Sequence, residues 1–409
     1  MKKIANYING KLSAPASNQY IDNYNPATGS VYSLIPNSGD EDVQFAIKSA
    51  REAFDSWSSL PNAKRASWLD KIANAIESRM DELALAESID NGKPLSLAKS
   101  VDIPRARDNF KFYATAIMHY ASESHRTGDG IINYTLRKPV GVAACISPWN
   151  LPLYLFSWKI APALAAGNTV VAKPSEITPM TAYLLSEICV EIGLPAGVLN
   201  IVHGLGATTG NAIISSNEID LVSFTGGTST GAHIAKIVAP KFKKMSLELG
   251  GKNPNIIFDD CDFEKALKTT VHSSFENQGQ ICLCGSRILV QRGIYEKFKN
   301  AFVEQVCNMR IGNPLNEDSQ LGAIVSKPHF DKILSYIEIA KSEGGKILTG
   351  GIPISLADDN KDGWFIAPTI IEGLDQQCRT NQEEIFGPIV TIQPFDTIEE
   401  ALELANSTE

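Results

Sequence analysis

Cys282 closes the run Asn277-Gln-Gly-Gln-Ile-Cys282, and Glu248 opens the run Glu248-Leu-Gly-Gly-Lys252. A thiol can serve as a nucleophile, and a carboxylate can activate water. Together they point to an enzyme that forms a thioester and then hydrolyses it. By residue type alone, a free cysteine is more often a small buried hydrophobe. Two features move the reading toward chemistry: Gly279 permits close backbone approach to a ligand, and the thiol follows a loop. Cys284, two residues on, reads as structural. Glu248 sits where Met245, Leu247 and Leu249 alternate with Ser246, Glu248 and Gly250, as at a strand end. Open α/β sheets place ligand groups at the carboxyl ends of their strands.

Three further clusters carry possible binding chemistry. Phe224-Thr-Gly-Gly-Thr-Ser-Thr-Gly231 reads as a strand, a glycine turn and a helix start, a setting that suits a pyrophosphate. Lys173-Pro-Ser-Glu176 follows an apolar strand; its lysine and glutamate can each meet a ribose hydroxyl. The glutamate would repel the 2′-phosphate of NADP, which favours NAD. Ser147-Pro-Trp-Asn150-Leu-Pro152 ends another strand, and its prolines stiffen a turn that aims an amide donor at a developing oxyanion. The plain alternatives are an ordinary strand-to-helix turn, a capped helix start and a turn-forming asparagine. Gly204-Leu-Gly206-Ala-Thr-Thr-Gly210 nearly matches the dinucleotide fingerprint but has one residue too many before its last glycine.

The elements that must position these groups fall into two blocks. Residues 1–38 read as short strands and turns. Asp40 reads as the cap of a helix bearing Val43, Ala46, Ile47, Ala50, Ala53, Phe54 and Trp57 at helical spacing. More helices follow to Ala121, and Gly130–Arg137 reads as one strand leaving the helical layer. From residue 139, short apolar strands at 140–146, 169–173, 199–203, 221–225 and 244–248 alternate with helices. That rhythm predicts a parallel, doubly wound sheet. A second α/β block begins near Gly250. There 365–371 reads as one strand and 354–363 as a polar loop.

The chain has 409 residues, 44% of them hydrophobic, and a net charge of −9. This composition suits a globular core and argues against a nucleic-acid surface or an anionic-membrane anchor. No apolar run approaches the ~18 residues of a membrane helix, and the N-terminus lacks an apolar signal core. Seven scattered cysteines suit a reducing, cytoplasmic compartment, and neither they nor the six histidines show zinc-ligand spacing, so no metal is expected.

In this order, Pro148-Trp-Asn150, Lys173-Pro-Ser-Glu176, Phe224–Gly231, Glu248-Leu-Gly-Gly-Lys252, Gly279-Gln-Ile-Cys282 and Glu383-Glu-Ile-Phe-Gly-Pro388 resemble the motifs of the NAD(P)-dependent aldehyde dehydrogenase superfamily. The resemblance covers the whole chain. It implies Cys282 as nucleophile, Asn150 with the Cys282 N–H as oxyanion donors, and Glu248 as the base that activates water. It implies a cofactor site made by Trp149, Lys173, Ser175, Glu176, Gly226, Gly227, Glu384 and Phe386, with NAD as cofactor. It also implies a Rossmann-like NAD-binding domain over 1–121 and 138–249, an oligomerisation arm at 122–137 and a catalytic domain over 250–409. Family members run further, so the catalytic domain is expected to be incomplete at the C-terminus. The expected partners are an aldehyde and further copies of the chain, as a homodimer or homotetramer.

Asp102-Ile-Pro-Arg-Ala-Arg107, Asn133–Pro139, Trp149–Tyr154 and Cys282-Leu-Cys-Gly-Ser-Arg287 resemble most the 2-aminomuconic and 2-hydroxymuconic semialdehyde dehydrogenases. Their substrates carry a carboxylate, and the resemblance places Arg105 to pair with it. The alternative for Arg105 is a helix surface ion pair. For the chain the alternatives are a betaine or aliphatic aldehyde dehydrogenase, or a truncated NAD-binding protein without turnover.

Overall fold

The computed structural model describes residues 1–408, and the chain divides into two compact units. One comprises Met1–Asn23, Tyr32–Glu87 and Lys99–Glu248; the other comprises Tyr24–Val31, Ser88–Ala98 and Leu249–Glu409.

In the first unit, seven strands form a sheet in the order Lys244–Leu249, Leu221–Gly226, Val142–Ile146, Thr169–Lys173, Leu199–Ile201, Asn6–Ile8 and Lys11–Ser13. Val142–Ile146 pairs in parallel with both Thr169–Lys173 and Leu221–Gly226, and Leu199–Ile201 continues in parallel beyond Thr169–Lys173. The N-terminal Asn6–Ile8 joins antiparallel. The chain therefore winds outward from Val142–Ile146 in one direction, returns, and winds outward in the other. The reversal leaves a switch point beside the carboxyl ends of Val142–Ile146 and Leu221–Gly226, where open α/β sheets bind ligands. All five residues of Thr169–Lys173 are buried. Parallel strands lie between helical layers, so they read as continuous apolar runs rather than alternating ones. Val170, Val171, Ala172 and Leu199 are fully excluded from solvent. Each buried valine or leucine side chain contributes about 1.5–3 kcal/mol.

Helix Asp40–Ser58 starts one residue earlier than the sequence suggests. Gly39 is the cap, and Asp42 reaches back to accept its N–H at 3.3 Å. The helix buries Val43, Ala46, Ile47, Ala50, Ala53 and Trp57. The segment read as one strand over Gly130–Arg137 is half of a hairpin: Ile131–Tyr134 pairs antiparallel with Ser124–Gly128, and every residue of both strands is exposed.

The second unit holds a five-stranded sheet in the order Pro254–Ile257, Arg287–Gln291, Ile389–Phe395, Thr369–Glu372 and Lys346–Thr349, of which only Lys346–Thr349 pairs antiparallel. Ile288, Val290, Phe298, Phe302, Ile370 and Ile392 pack into its core. The run 365–371 divides at Ala367-Pro368, because proline has no N–H for the ladder. Phe365–Ile366 pairs with Pro353–Ile354, so part of the expected loop is a strand. Two short stretches of earlier chain pack with this unit. The Gly92 carbonyl accepts the Ala323 N–H at 2.9 Å, and the Ala27 carbonyl accepts the Asn360 amide at 2.8 Å. No helix among the described residues is long and apolar enough to cross a membrane.

Candidate active site

In the first unit a cavity of about 530 Å³ opens at the switch point. Ser147, Pro148 and Trp149 line it from one strand end, and Phe224, Thr225, Gly226 and Gly227 from the other. Gly227 caps helix Thr228–Val238, whose first turn carries no acidic residue and whose cap makes no side-chain hydrogen bond. A Cβ on Gly227 would meet open space, whereas one on Gly226 would lie 2.5 Å from the tip of the Phe224 ring, which would have to shift. Lys173, Ser175 and Glu176 face the same cavity. The buried Lys173 ammonium donates to Glu176 at 2.9 Å. The backbone N–H of Gly206 donates to the other Glu176 oxygen at 3.1 Å. Burial pushes the Glu176 carboxyl up, but Lys173 and the hydrogen bonds outweigh it, leaving the group below its ordinary value. Ser175 accepts the Ile177 N–H at 3.2 Å and so shapes the turn. The near-match at Gly204–Gly210 also belongs here: Gly206, Ala207 and Gly210 are cavity wall.

Asn150 is buried on the switch-point loop, just before helix Pro152–Ala165. That loop is tied down by the Ser147 N–H donating to the Lys173 carbonyl at 3.1 Å and by the Thr178 hydroxyl donating to the Trp149 carbonyl at 3.2 Å. Glu248 is exposed near the end of strand Lys244–Leu249. Burial lowers the affinity of Lys159 for its proton, with Cys145 and the carboxylate of Glu248 pulling partly back. His203 is fully buried behind Lys173, and burial and that ammonium drive its pKa down to about 3.

In the second unit Cys282 lines a small cavity of about 20 Å³ with Lys252, Ser286, Glu384 and Phe386. Asn277, Gln278 and Gly279 take successive positive φ values of 51°, 57° and 69°, which turns the chain sharply into the thiol. Such a run persists only where neighbours over-determine it. Here Gln278 donates to the Ala323 carbonyl at 2.9 Å, and Gln280 accepts the Val325 N–H at 3.2 Å. The Asn253 amide then donates to the Cys282 carbonyl at 2.6 Å and the Cys284 carbonyl at 3.1 Å, fixing the backbone at and just after the thiol. Cys284 is buried, and burial pushes its thiol up to about 12, so it is no competitor as a nucleophile. Glu384 accepts the Gly251 N–H at 3.4 Å; burial raises its carboxyl, opposed by that bond, Lys332 and Lys252. Lys252 is buried, and burial with the nearby Arg287 lowers its ammonium to about 7.

Arg105 lies exposed on helix Ile103–Met118, and among the described residues it makes no hydrogen bond or ion pair. Its neighbour Arg107 is fully engaged with Glu77 and Asp108. A surface ion pair therefore accounts for Arg107 and not for Arg105.

The sequence pattern of the aldehyde dehydrogenase family matches residues 13–409. The chain belongs to the aldehyde dehydrogenase family. It is an α/β oxidoreductase of the NAD-dependent aldehyde-oxidising class. The 2-aminomuconic semialdehyde dehydrogenase of Mus musculus is 48% identical over 407 residues, 99% of this chain and 83% of that one. The 5-carboxymethyl-2-hydroxymuconate semialdehyde dehydrogenase of Escherichia coli is 42% identical over 411 residues, 100% of this chain and 87% of that one. Betaine aldehyde dehydrogenase from Staphylococcus aureus, solved with NAD+, superimposes with a TM-score of 0.95 at 40% identity, covering 99% of this chain and 80% of that one.

Three contributors to these sites carry no sequence signal of their own. Asn253 directly follows the run Glu248–Lys252, and His329 and Lys332 sit on an ordinary amphipathic helix; only the contacts reveal them.

Proposed function

We propose that this member of the family oxidises a carboxylate-bearing semialdehyde, of the 2-aminomuconate or 2-hydroxymuconate type, to the acid with NAD. The observation that carries the reading is that Cys282 shares a cavity wall with Glu384 and Phe386. A nucleophile beside cofactor-binding groups fits oxidative acylation rather than simple hydrolysis.

The first-unit cavity fits the adenosine and pyrophosphate half of NAD. Lys173 and Glu176 offer a cation and an acceptor to ribose hydroxyls, with Ser175 and Trp149 on the wall. The helix start after Gly226 and Gly227 offers backbone N–H donors to phosphate. The ionised Glu176 disfavours a 2′-phosphate. Glu384 would hold the nicotinamide ribose and Phe386 would line the site of the ring. Bound NAD supplies the acceptor for the hydride that leaves the aldehyde carbon.

The Cys282 thiolate adds to the aldehyde carbon and forms a thiohemiacetal. The Asn150 amide and the Cys282 N–H stabilise its oxyanion, an interaction worth roughly 3–4 kcal/mol per donor in comparable sites. Loss of hydride leaves a thioester on Cys282. Glu248 takes a proton from water, the hydroxide adds to the thioester carbon, and the acid departs with the thiol restored. Arg105, which makes no hydrogen bond or ion pair among the described residues, pairs with the distal carboxylate. The relatives that act on muconic semialdehydes, at 41–48% identity, support that substrate class.

The test is NADH absorbance after adding 2-aminomuconate or 2-hydroxymuconate semialdehyde, betaine aldehyde, and a simple aliphatic aldehyde in parallel. Preference for betaine aldehyde would replace the semialdehyde reading, and NAD binding without NADH would remove catalysis. The 124–134 hairpin exposes Ile131, Ile132 and Tyr134, which suits pairing with a second copy. Sedimentation should therefore show a dimer or tetramer, lost on Ile132→Asp. The seven free cysteines suit a reducing cytoplasm.

A further inference from the structure

Helix Lys327–Ser342 touches the Glu384–Gly387 segment at three successive points. The Lys332 ammonium donates to the Glu384 carbonyl at 3.0 Å. The His329 Nε2 lies 2.7 Å from the Phe386 carbonyl, and the two rings meet edge-on at 6.2 Å. Ile333 packs so closely on Gly387 that a Cβ there would lie 2.5 Å from its Cδ1. His329 and Lys332 are one turn apart, so both reach the segment from the same helix face.

We propose that His329 and Lys332 are positioning residues: they hold the backbone of Glu384 and Phe386 so that these side chains meet the nicotinamide end of the cofactor. The inference rests on the assignment of Glu384 and Phe386 to that end. Phe386 has a φ of +63°, a left-handed conformation that a bulky residue keeps only where neighbours force it. That conformation sets the direction in which the side chain leaves the backbone, so whatever fixes the Phe386 carbonyl fixes the base from which the ring projects. A carbonyl only accepts, so Nε2 carries the hydrogen and donates. Burial favours the neutral ring, which keeps this single tautomer. The helix itself is firmly placed: Ser326 caps it by accepting the His329 N–H, and Ile333, Tyr336, Ile337 and Ala340 are buried beneath.

The test compares His329→Ala, His329→Gln and Lys332→Met in the full chain, using NAD turnover and binding of ADP, which lacks the nicotinamide riboside. His329→Ala and Lys332→Met should each lower kcat with NAD at least about tenfold, because small misplacements of reacting groups have large kinetic effects. ADP affinity should stay within about twofold. His329→Gln, which keeps a donor near the Nε2 position, should recover most of the rate. A loss of thermal stability with no change in kcat, or equal losses in ADP binding and kcat, would overturn the proposal. Glu384→Gln and Phe386→Ala separate the two layers. If these leave NAD kinetics unchanged, the underlying assignment falls and the positioning role falls with it. If they impair NAD kinetics while His329→Ala and Lys332→Met do not, only the positioning role falls.

Discussion

A Cβ on Gly279 would stand 2.2 Å from the carbonyl oxygen of Gly387. The loop that turns into Cys282 and the loop that carries Glu384 and Phe386 are thus packed backbone on backbone. Glycine is required at 279 twice over, by this contact and by a φ of +69°. The thiol and the residues assigned to the nicotinamide end are held as one assembly.

Gly279→Ala should separate the two loops. The added methyl group meets a backbone carbonyl rather than a flexible side-chain end, and the positive φ adds strain of order 1–3 kcal/mol. Chemical denaturation should show a loss of roughly that size, and kcat should drop by about a hundredfold. Near-normal kcat in a variant that folds would show that this packing does not set the thiol's geometry.

Cys282→Ala should abolish NADH formation while leaving NAD binding intact, as read by isothermal titration. Glu248→Gln should slow deacylation, so that mass spectrometry after mixing with NAD and aldehyde finds an acyl group on Cys282. No trapped acyl-enzyme, with turnover slowed, would remove Glu248 from the base role.

Arg105→Ala should raise KM for a carboxylate-bearing semialdehyde by about tenfold or more, as expected for losing a charge-assisted hydrogen bond of roughly 1.5–3 kcal/mol. KM for an uncharged aldehyde should barely move. Equal effects on both would place Arg105 outside substrate recognition.

Stability should fall as pH drops below 6.5, with the buried His203 and the half-buried His329 as the source. Burial and Lys173 push His203 from its ordinary 6.5 to about 3. Burial takes His329 to about 4, despite its bond to the Phe386 carbonyl. Both stay neutral in the folded chain while the unfolded chain takes up protons, so unfolding gains protons as pH falls. Each contributes a slope of up to about 1.4 kcal/mol per pH unit. Urea denaturation between pH 6.5 and 5, above the range where most carboxylates titrate, should show the decline. His203→Leu should remove about half of it, and an unchanged slope would mean that His203 is not neutral in the fold.

Much of the fold was legible because it is written locally. The strand Thr169–Lys173 has a continuous apolar centre, Val170–Ala172, because both its faces are covered, and its expected bounds match the structure. Gly226-Gly227 marks a turn between a strand end and a helix start, a pattern written in adjacent residues. Other features depend on distant partners. The partner strand Ser124–Gly128 is polar and exposed throughout, so no buried face imposes a pattern on it. The break at Ala367-Pro368 was hidden because 365–371 looks uniformly apolar. The Gly204–Gly210 near-match looked like a failed fingerprint, yet its Gly206 N–H reaches Glu176, thirty positions earlier in the chain.

The sequence by itself determined which chemistry is present. A thiol, a carboxylate, an amide and the glycine turns of a dinucleotide site follow from residue types and short spacings, and so does the family. Only the tertiary structure decided how those groups are held. It determined that Asn253 grips the carbonyls of Cys282 and Cys284, that His329 and Lys332 touch the Glu384–Phe386 segment, and that among the described residues Arg105 makes no hydrogen bond or ion pair while Arg107 is engaged. The physical reason is range. Side-chain type and periodicity act over a few residues, whereas these contacts join segments tens of residues apart and form only when the sheets and helices have packed.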